Sequence, residues 1–219
     1  MKNFNFSLFL SLFFLIILLP ESVDAKRINK KVDEQGVDMP KVRIASFKGD
    51  KACAISYTFD DALRDQSILA APMLEKYGFR GTFWAIPSMV PETEEEILTN
   101  SKKKWGGITW KRLKEMSDNG HEISNHGWSH KNLVNLKSEQ EIRAEIEKAD
   151  SLILLKIGKK PRTFCYPYNA FNDQVLAIAM ENRVDTRTRC SGWGYRTTTQ
   201  WMNNWADGLI KKGEWGIPM

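Results

Sequence analysis

A chain of 219 residues, roughly 194 once an export signal is removed, suits one domain rather than two. With 42% hydrophobic and 27% charged residues, it is neither a disordered nor a collagen-like chain. The net charge of +5 is spread along the chain, and the basic run Lys102-Lys103-Lys104 follows Glu94-Glu95-Glu96, so a nucleic-acid-binding stripe is excluded and a solvated loop is expected there.

Residues 1–25 read as a targeting signal. Lys2 gives a positive start, Phe6 to Leu19 is almost wholly apolar, Pro20 and Glu21 end the run, and Val23 and Ala25 are the small residues of a cleavage site. The run is short of the ~20 residues a membrane span needs. Export to the periplasm, cell surface or medium is expected, with no stable membrane insertion after cleavage; an uncleaved anchor is the alternative. Residues 26–50 are polar and basic without a period and read as a linker into the domain. The domain itself is expected over 51–219.

Strand and helix then alternate. Ala52 to Phe59 is a near-continuous apolar run, as in a strand buried on both faces. Ala62 to Tyr77 predicts an amphipathic helix with Ile68, Leu69, Met73 and Leu74 on its apolar side, stopped by Gly78. Gly81 to Ile86 predicts a strand, 87–107 a long charged loop, and Thr109 the cap of a helix to Asp118. His121 to Asn125 predicts a short strand. Ser138 and Glu141 form a capping box for a helix to about Ile157, closed by Gly158. Strands follow at Phe164 to Tyr166 and Val184 to Cys190, helices at 173–180 and 205–212, and a sixth strand at Trp215 to Met219. Repeated βα units imply a parallel sheet. The chain is short for an eight-stranded barrel of ~250 residues, so a smaller or distorted barrel is expected. Its last strand, with no helix after it, would leave an open edge. The three cysteines (Cys53, Cys165, Cys190) are too few and odd in number for a disulfide framework; Cys53 and Cys190 read as packing residues.

Three strand ends carry unusual residues. Asp60 and Asp61 follow the first strand; two adjacent carboxylates repel unless one binds a cation and leaves the other free to take a proton. The alternative is that Asp61 caps the next helix. His126 and His130 follow the third strand at a spacing that, in a helical turn, puts both rings on one side. Two His and one carboxylate form a common catalytic zinc set; two unrelated surface histidines are the alternative. His121 reads as structural. Phe164-Cys165-Tyr166-Pro167-Tyr168-Asn169 ends a further strand, where Pro167 directs the chain so that the Tyr166 backbone N–H can act as an oxyanion donor. Packing of Tyr166 and Tyr168 under a loop is the alternative. Eight Trp and eleven Phe are many for this length; they can fill the core or line a sugar cleft.

These residues resemble the polysaccharide deacetylase family, carbohydrate esterase family 4. The resemblance rests on Thr58-Phe59-Asp60-Asp61, Asn125-His126-Gly127-Trp128-Ser129-His130 and Tyr166-Pro167-Tyr168, with Gly78-Phe79-Arg80-Gly81-Thr82-Phe83-Trp84 and Gly120-His121-Glu122-Ile123 between them, and it covers about residues 51–219. It implies a distorted (β/α) barrel and metal-dependent removal of acetyl groups from N- or O-acetylated glycans. It further implies that Asp60 is the base, that Asp61, His126 and His130 bind Zn2+ or a similar divalent ion, and that the Tyr166 N–H assists at the oxyanion. The partner is then an acetylated polysaccharide or oligosaccharide, not a nucleic acid. Trp84, Trp128, Pro167, Tyr168 and Trp193 are the candidate sugar contacts.

The chain departs from the family pattern at two points. Cys165 stands where the family has an Arg that pairs with the base, and Arg187 or Arg189 on a neighbouring strand is the candidate replacement. No His follows His130 to serve as the family's late general acid, so a C-terminally truncated or catalytically impaired chain is expected. A carbohydrate-binding or impaired relative that keeps the metal site, and a different metallohydrolase or a structural domain, stay open beside the active deacetylase.

Overall fold

The first apolar run is not one strand. It divides at Ser56 into β1 (Ala54–Ile55) and β2 (Tyr57–Phe59), because its two halves serve different sheets. β1 pairs in parallel with β7 (Trp215–Gly216), while β2 starts a five-stranded parallel sheet with β3 (Gly81–Ala85), β4 (Glu122–Asn125), β5 (Thr163–Cys165) and β6 (Asp185–Arg187), in that order. Only Thr58 of this first run is buried, so it is not the doubly covered strand that its composition predicts. The computed structural model describes residues 44–99, 107–194 and 196–219. The expected signal peptide, most of the expected linker and the basic run at 102–104 lie outside the described residues. Among the described residues, no helix is long and apolar enough to cross a membrane.

Residues 215–219 are bonded on both sides, so the expected open edge is absent. Ser56 N–H donates to Gly216 O and Thr58 N–H to Pro218 O, while Ser191 and Trp193 N–H donate to Ile217 O and Met219 O. The terminal segment thus runs between the first strand and the extension of β6. This is the distorted parallel barrel expected, with its strand ends gathered at one rim.

The helices are α1 (Ala71–Lys76), α2 (Glu94–Thr99), α3 (Trp110–Asp118), α4 (Glu139–Ile157), α5 (Asp173–Met180) and α6 (Thr199–Lys212). The caps are where the sequence places them: Thr109 accepts from Arg112 N–H, Ser138 from Glu141 N–H, and Gly158 takes the left-handed conformation that ends α4. Helix α2 stands where an irregular loop is expected, started by three glutamates at the positive end of its dipole. The helix expected over 62–77 is present from Arg64 to Lys76, but its middle, Gln66–Ala70, is a π-helical turn running into α1. That wider winding breaks the 3.6-residue period. Ser67, Ala71 and Leu74 face inward, and Ile68, Leu69 and Met73 are exposed.

Two apolar clusters hold the barrel and its helices together. Phe83, Ala85, Ile108, Leu113, Met116, Ile123, Ile153 and Ile157 lie in one; Leu133, Ile142, Ile146, Phe164, Tyr166, Val175 and Ile178 lie in the other. All three cysteines are free thiols, Cys165 buried and the other two half-buried.

His121 is structural, as expected. Its Nδ1 accepts from Gly81 N–H at 3.0 Å, so its proton sits on Nε2 and is donated to Glu75 Oε1 at 3.1 Å. Burial disfavours the imidazolium and outweighs the Glu75 charge, so its pKa lies below the ordinary histidine value. The unfolded chain therefore takes up the proton first, near pH 6.5, and stability falls as pH drops below that point. His121→Gln offers the same acceptor and donor without titrating. Thermal unfolding at pH 7.5 and 5.5 is expected to show a steeper loss on acidification for wild type than for His121→Gln; parallel losses would refute this role.

Candidate metal centre

Asp60 and Asp61 leave the end of β2 in different directions because the backbone turns over between them. Asp61 and Ala62 are both left-handed, with φ of 70° and 52°. Such non-glycine residues cost about 1–3 kcal/mol each and persist only where their surroundings hold them. Here the Gln66 amide does so, donating to Asp60 O at 2.6 Å. Helical winding starts at Arg64 and Asp61 is itself left-handed, so Asp61 is not the helix cap.

The two histidines come together without a helical turn. His126 Nδ1 lies 2.8 Å from Cys165 O, a pure acceptor, so Nδ1 carries a proton and the neutral ring offers the lone pair of Nε2. Asn125 accepts from Gly127 N–H and donates to Ile146 O and Asp150 on α4. The loop then bends through Gly127 (φ 78°) and returns through His130 (φ 58°), leaving the rings 4.9 Å apart. Both Nε2 atoms face Asp61 Oδ1 at 3.4 Å.

That arrangement fits a cation. The donor atoms of Asp61, His126 and His130 lie within 4.8 Å of one another, and Asp61 Oδ1 is buried without a hydrogen bond. A buried carboxylate oxygen beside two imidazole nitrogens is a donor set that a divalent ion completes. Burial alone would raise the Asp61 pKa; the facing rings of His126 and His130, with Arg187, outweigh it and hold the carboxyl below its ordinary value. Burial, with the charge of His126, lowers His130, which favours the neutral, ligating form.

Asp60 is held by Arg187. The guanidinium Nη1 meets Oδ1 at 2.8 Å and Nη2 meets Oδ2 at 2.5 Å, a bidentate pair with Arg187 buried. Thr58 and Asn169 accept from the same guanidinium. Arg187, and not Arg189, which is exposed, therefore supplies the guanidinium that Cys165 lacks. The reason is register: Cys165 and Arg187 are partners across β5 and β6, so an arginine one strand over reaches the same carboxylate. The Cys165 thiol lies 3.6 Å from Asp60 Oδ2, and burial pushes its pKa well up, so it stays protonated.

The candidate sugar contacts divide. Trp84 is buried, packs under Arg187 at 4.7 Å and donates to Thr163, so it is a support and not a sugar platform; inward-facing positions of β3 point into the barrel. Pro167 is buried beside Gly127. The Trp128 face is covered by Lys148 Nζ at 3.9 Å, and Trp193 packs edge-on to Trp201 and Trp205. Tyr168 is 66% exposed, with its ring 4.7 Å from that of His130. The Tyr166 ring is buried, with its hydroxyl on Thr186, so only its backbone can serve the site. The sequence reading missed Gln66, Asn125 and Glu145. A polar residue interrupting an inward-facing apolar stripe was the available signal.

Arg187→Met leaves Asp60 without its clamp. Its kcat is expected to fall by about 10²-fold, as for a misplaced catalytic group, with bound metal unchanged. Moving the arginine back, as Cys165→Arg with Arg187→Cys, is expected to restore most of that loss; a double variant no better than Arg187→Met would refute the exchange.

Similarity to known proteins matches this geometry. Residues 48–186 match the family model described as polysaccharide deacetylase. Chitin deacetylase 1 of Cryptococcus neoformans var. grubii is 30% identical over 124 residues, covering 57% of this chain and 23% of that protein. Peptidoglycan-N-acetylmuramic acid deacetylase PdaC of Bacillus subtilis is 26% identical over 167 residues, covering 73% of this chain and 31% of that one. The chain thus spans less than a third of the length of either curated relative. The Xyl-CE4 domain of a xylanase from the hindgut metagenome of Trinervitermes trinervoides superposes with a TM-score of 0.55 at 24% identity, over 77% of this chain and 73% of that one, which supports the barrel fold. With a match over most of its length and the motif residues gathered at one rim, the chain belongs to the polysaccharide deacetylase family.

Proposed function

We propose that this chain hydrolyses acetyl groups from N- or O-acetylated glycans, with Zn2+ as the metal, outside the cytoplasm. The observation that carries this reading is the division of labour between two adjacent carboxylates: Asp61 faces two imidazole nitrogens with an oxygen left unpartnered, while Asp60 is clamped by Arg187. An N2O donor set suits zinc. The named activities of the relatives, on chitin and on peptidoglycan, support an acetylated polysaccharide as substrate. The apolar run at 6–19 supports export.

Asp61, His126 and His130 would hold the ion, which when bound supplies a water acidified to about pKa 7 and a positive charge beside the acetyl carbonyl. Asp60 takes the proton of the attacking water, its plane fixed by Arg187. The Tyr166 N–H donates to the oxygen on which negative charge develops. Asp60 then returns the proton to the leaving nitrogen or oxygen. Tyr168, exposed beside His130, stacks on the sugar ring.

A second reading, a relative that keeps the metal site but turns over slowly, is favoured by the histidines. Of the three among these 219 residues, two face Asp61 and His121 is committed to Gly81 and Glu75, so none shares with Asp60 the task of protonating an amine. A dedicated general acid contributes about 10²–10⁴-fold. Acetate release from a panel of acetylated chitin, peptidoglycan and xylan fragments, beside an aryl acetate, is expected to be robust for esters and weaker by that factor for amides. Release from none of them would leave the binding reading standing.

The roles of the carboxylates separate by mutation. His126→Ala is expected to lose most bound zinc, whereas Asp60→Asn keeps it and loses turnover, because an amide cannot accept the water proton. A full equivalent of zinc at wild-type affinity in His126→Ala, or near-normal activity in Asp60→Asn, would overturn the respective assignment.

A further inference from the structure

Among the described residues, Glu145 is the one buried acidic residue, and none of the chemistry above uses it. It lies on the inward face of α4 with Ile142, Ile146 and Ala149. A carboxylate on that stripe is costly unless every lone pair finds a donor. It finds them in the loop between the two histidines. Ser129 N–H donates to Oε2 at 2.9 Å, the Ser129 hydroxyl lies 2.9 Å from both oxygens, and Lys131 Nζ lies 3.0 Å from Oε1. The Glu145 backbone carbonyl also accepts from Trp128 N–H at 2.8 Å. Residues 128, 129 and 131, on both sides of His130, are thus tied to one residue of a helix.

His130 needs that support. Its φ of 58° is a conformation that costs an L-residue about 1–2 kcal/mol, and the loop would relax from it if released. His126 has separate anchors, in Cys165 O and through Asn125. We infer that Glu145 is a positioning residue for His130: by clamping Ser129 and Lys131 it holds Nε2 at Asp61 and sets the metal affinity of the site. This rests on the reading of Asp61, His126 and His130 as ligands. The motif residues supply the donors, and a helix residue outside every motif supplies their geometry.

The test is zinc affinity of the full chain, by competition with a chromophoric chelator, for wild type, Glu145→Gln, Ser129→Ala and the exposed control Glu147→Gln. Supporting groups around a metal contribute about 10–100-fold in affinity. Glu145→Gln is expected to lose affinity in that range and Ser129→Ala about tenfold, with Glu147→Gln unchanged. The visible absorption of the Co2+-loaded protein should weaken in the first two as the ligand set loosens. A wild type that binds no zinc overturns the metal site itself. A wild type that binds, with Glu145→Gln and Ser129→Ala at the same affinity and lowered only in the melting temperature of the metal-free protein, makes Glu145 a stability residue and overturns the inference. If Glu145→Gln does not fold, unchanged affinity in Ser129→Ala alone overturns it.

Discussion

Two neighbouring carboxylates at the end of one strand cannot both be ionised, desolvated and close without cationic groups to separate them. Much of the rim follows from how this chain meets that constraint. A left-handed turn through Asp61 and Ala62 sends the two side chains apart. Asp60 goes to Arg187, a buried guanidinium that itself needs a Trp84 ring beneath it and Thr58 and Asn169 as acceptors. Asp61 goes to two imidazole nitrogens and keeps one oxygen without a hydrogen bond, a set that suits a cation.

Several residues of the rim are oriented by an element other than their own. His126 is set by a carbonyl at the end of β5, Asn125 by α4, and Asp60 by β6. The parallel barrel makes this possible, because all carboxyl ends of the strands reach the same rim. It also explains how an arginine can change strands. Positions level with each other on β5 and β6 point at the same carboxylate, so the pair Cys165 and Arg187 delivers the charge an Arg and a small residue would deliver the other way round. The thiol left behind is buried and protonated, and adds no competing charge.

Tertiary packing also separates supports from contacts. Trp84, Trp128 and Trp193 are alike in composition, yet one is a floor for Arg187, one is covered by Lys148 and one is part of a tryptophan cluster. Tyr168, in a strained loop and largely exposed beside His130, is the aromatic ring presented at the rim.

What the sequence by itself determined was local or carried by motif. The caps at Thr109, Ser138 and Gly158 are written in one or two residues each, and the βα alternation, the paired aspartates and the two histidines are legible from spacing and resemblance. Only the tertiary structure decided the rest, because it depends on which distant segments meet. The first strand divides because its halves find different partners. Residues 215–219 are no open edge because the extension of β6 bonds their far side. The helix after Asp61 turns Ile68 and Leu69 outward because a π-helical turn shifts its phase. Arg187 rather than Arg189 reaches Asp60 because of cross-strand register, and Glu145 reaches Ser129 because α4 packs over the loop. Register, winding and helix placement are properties of the packed chain, and no window of neighbouring residues contains them.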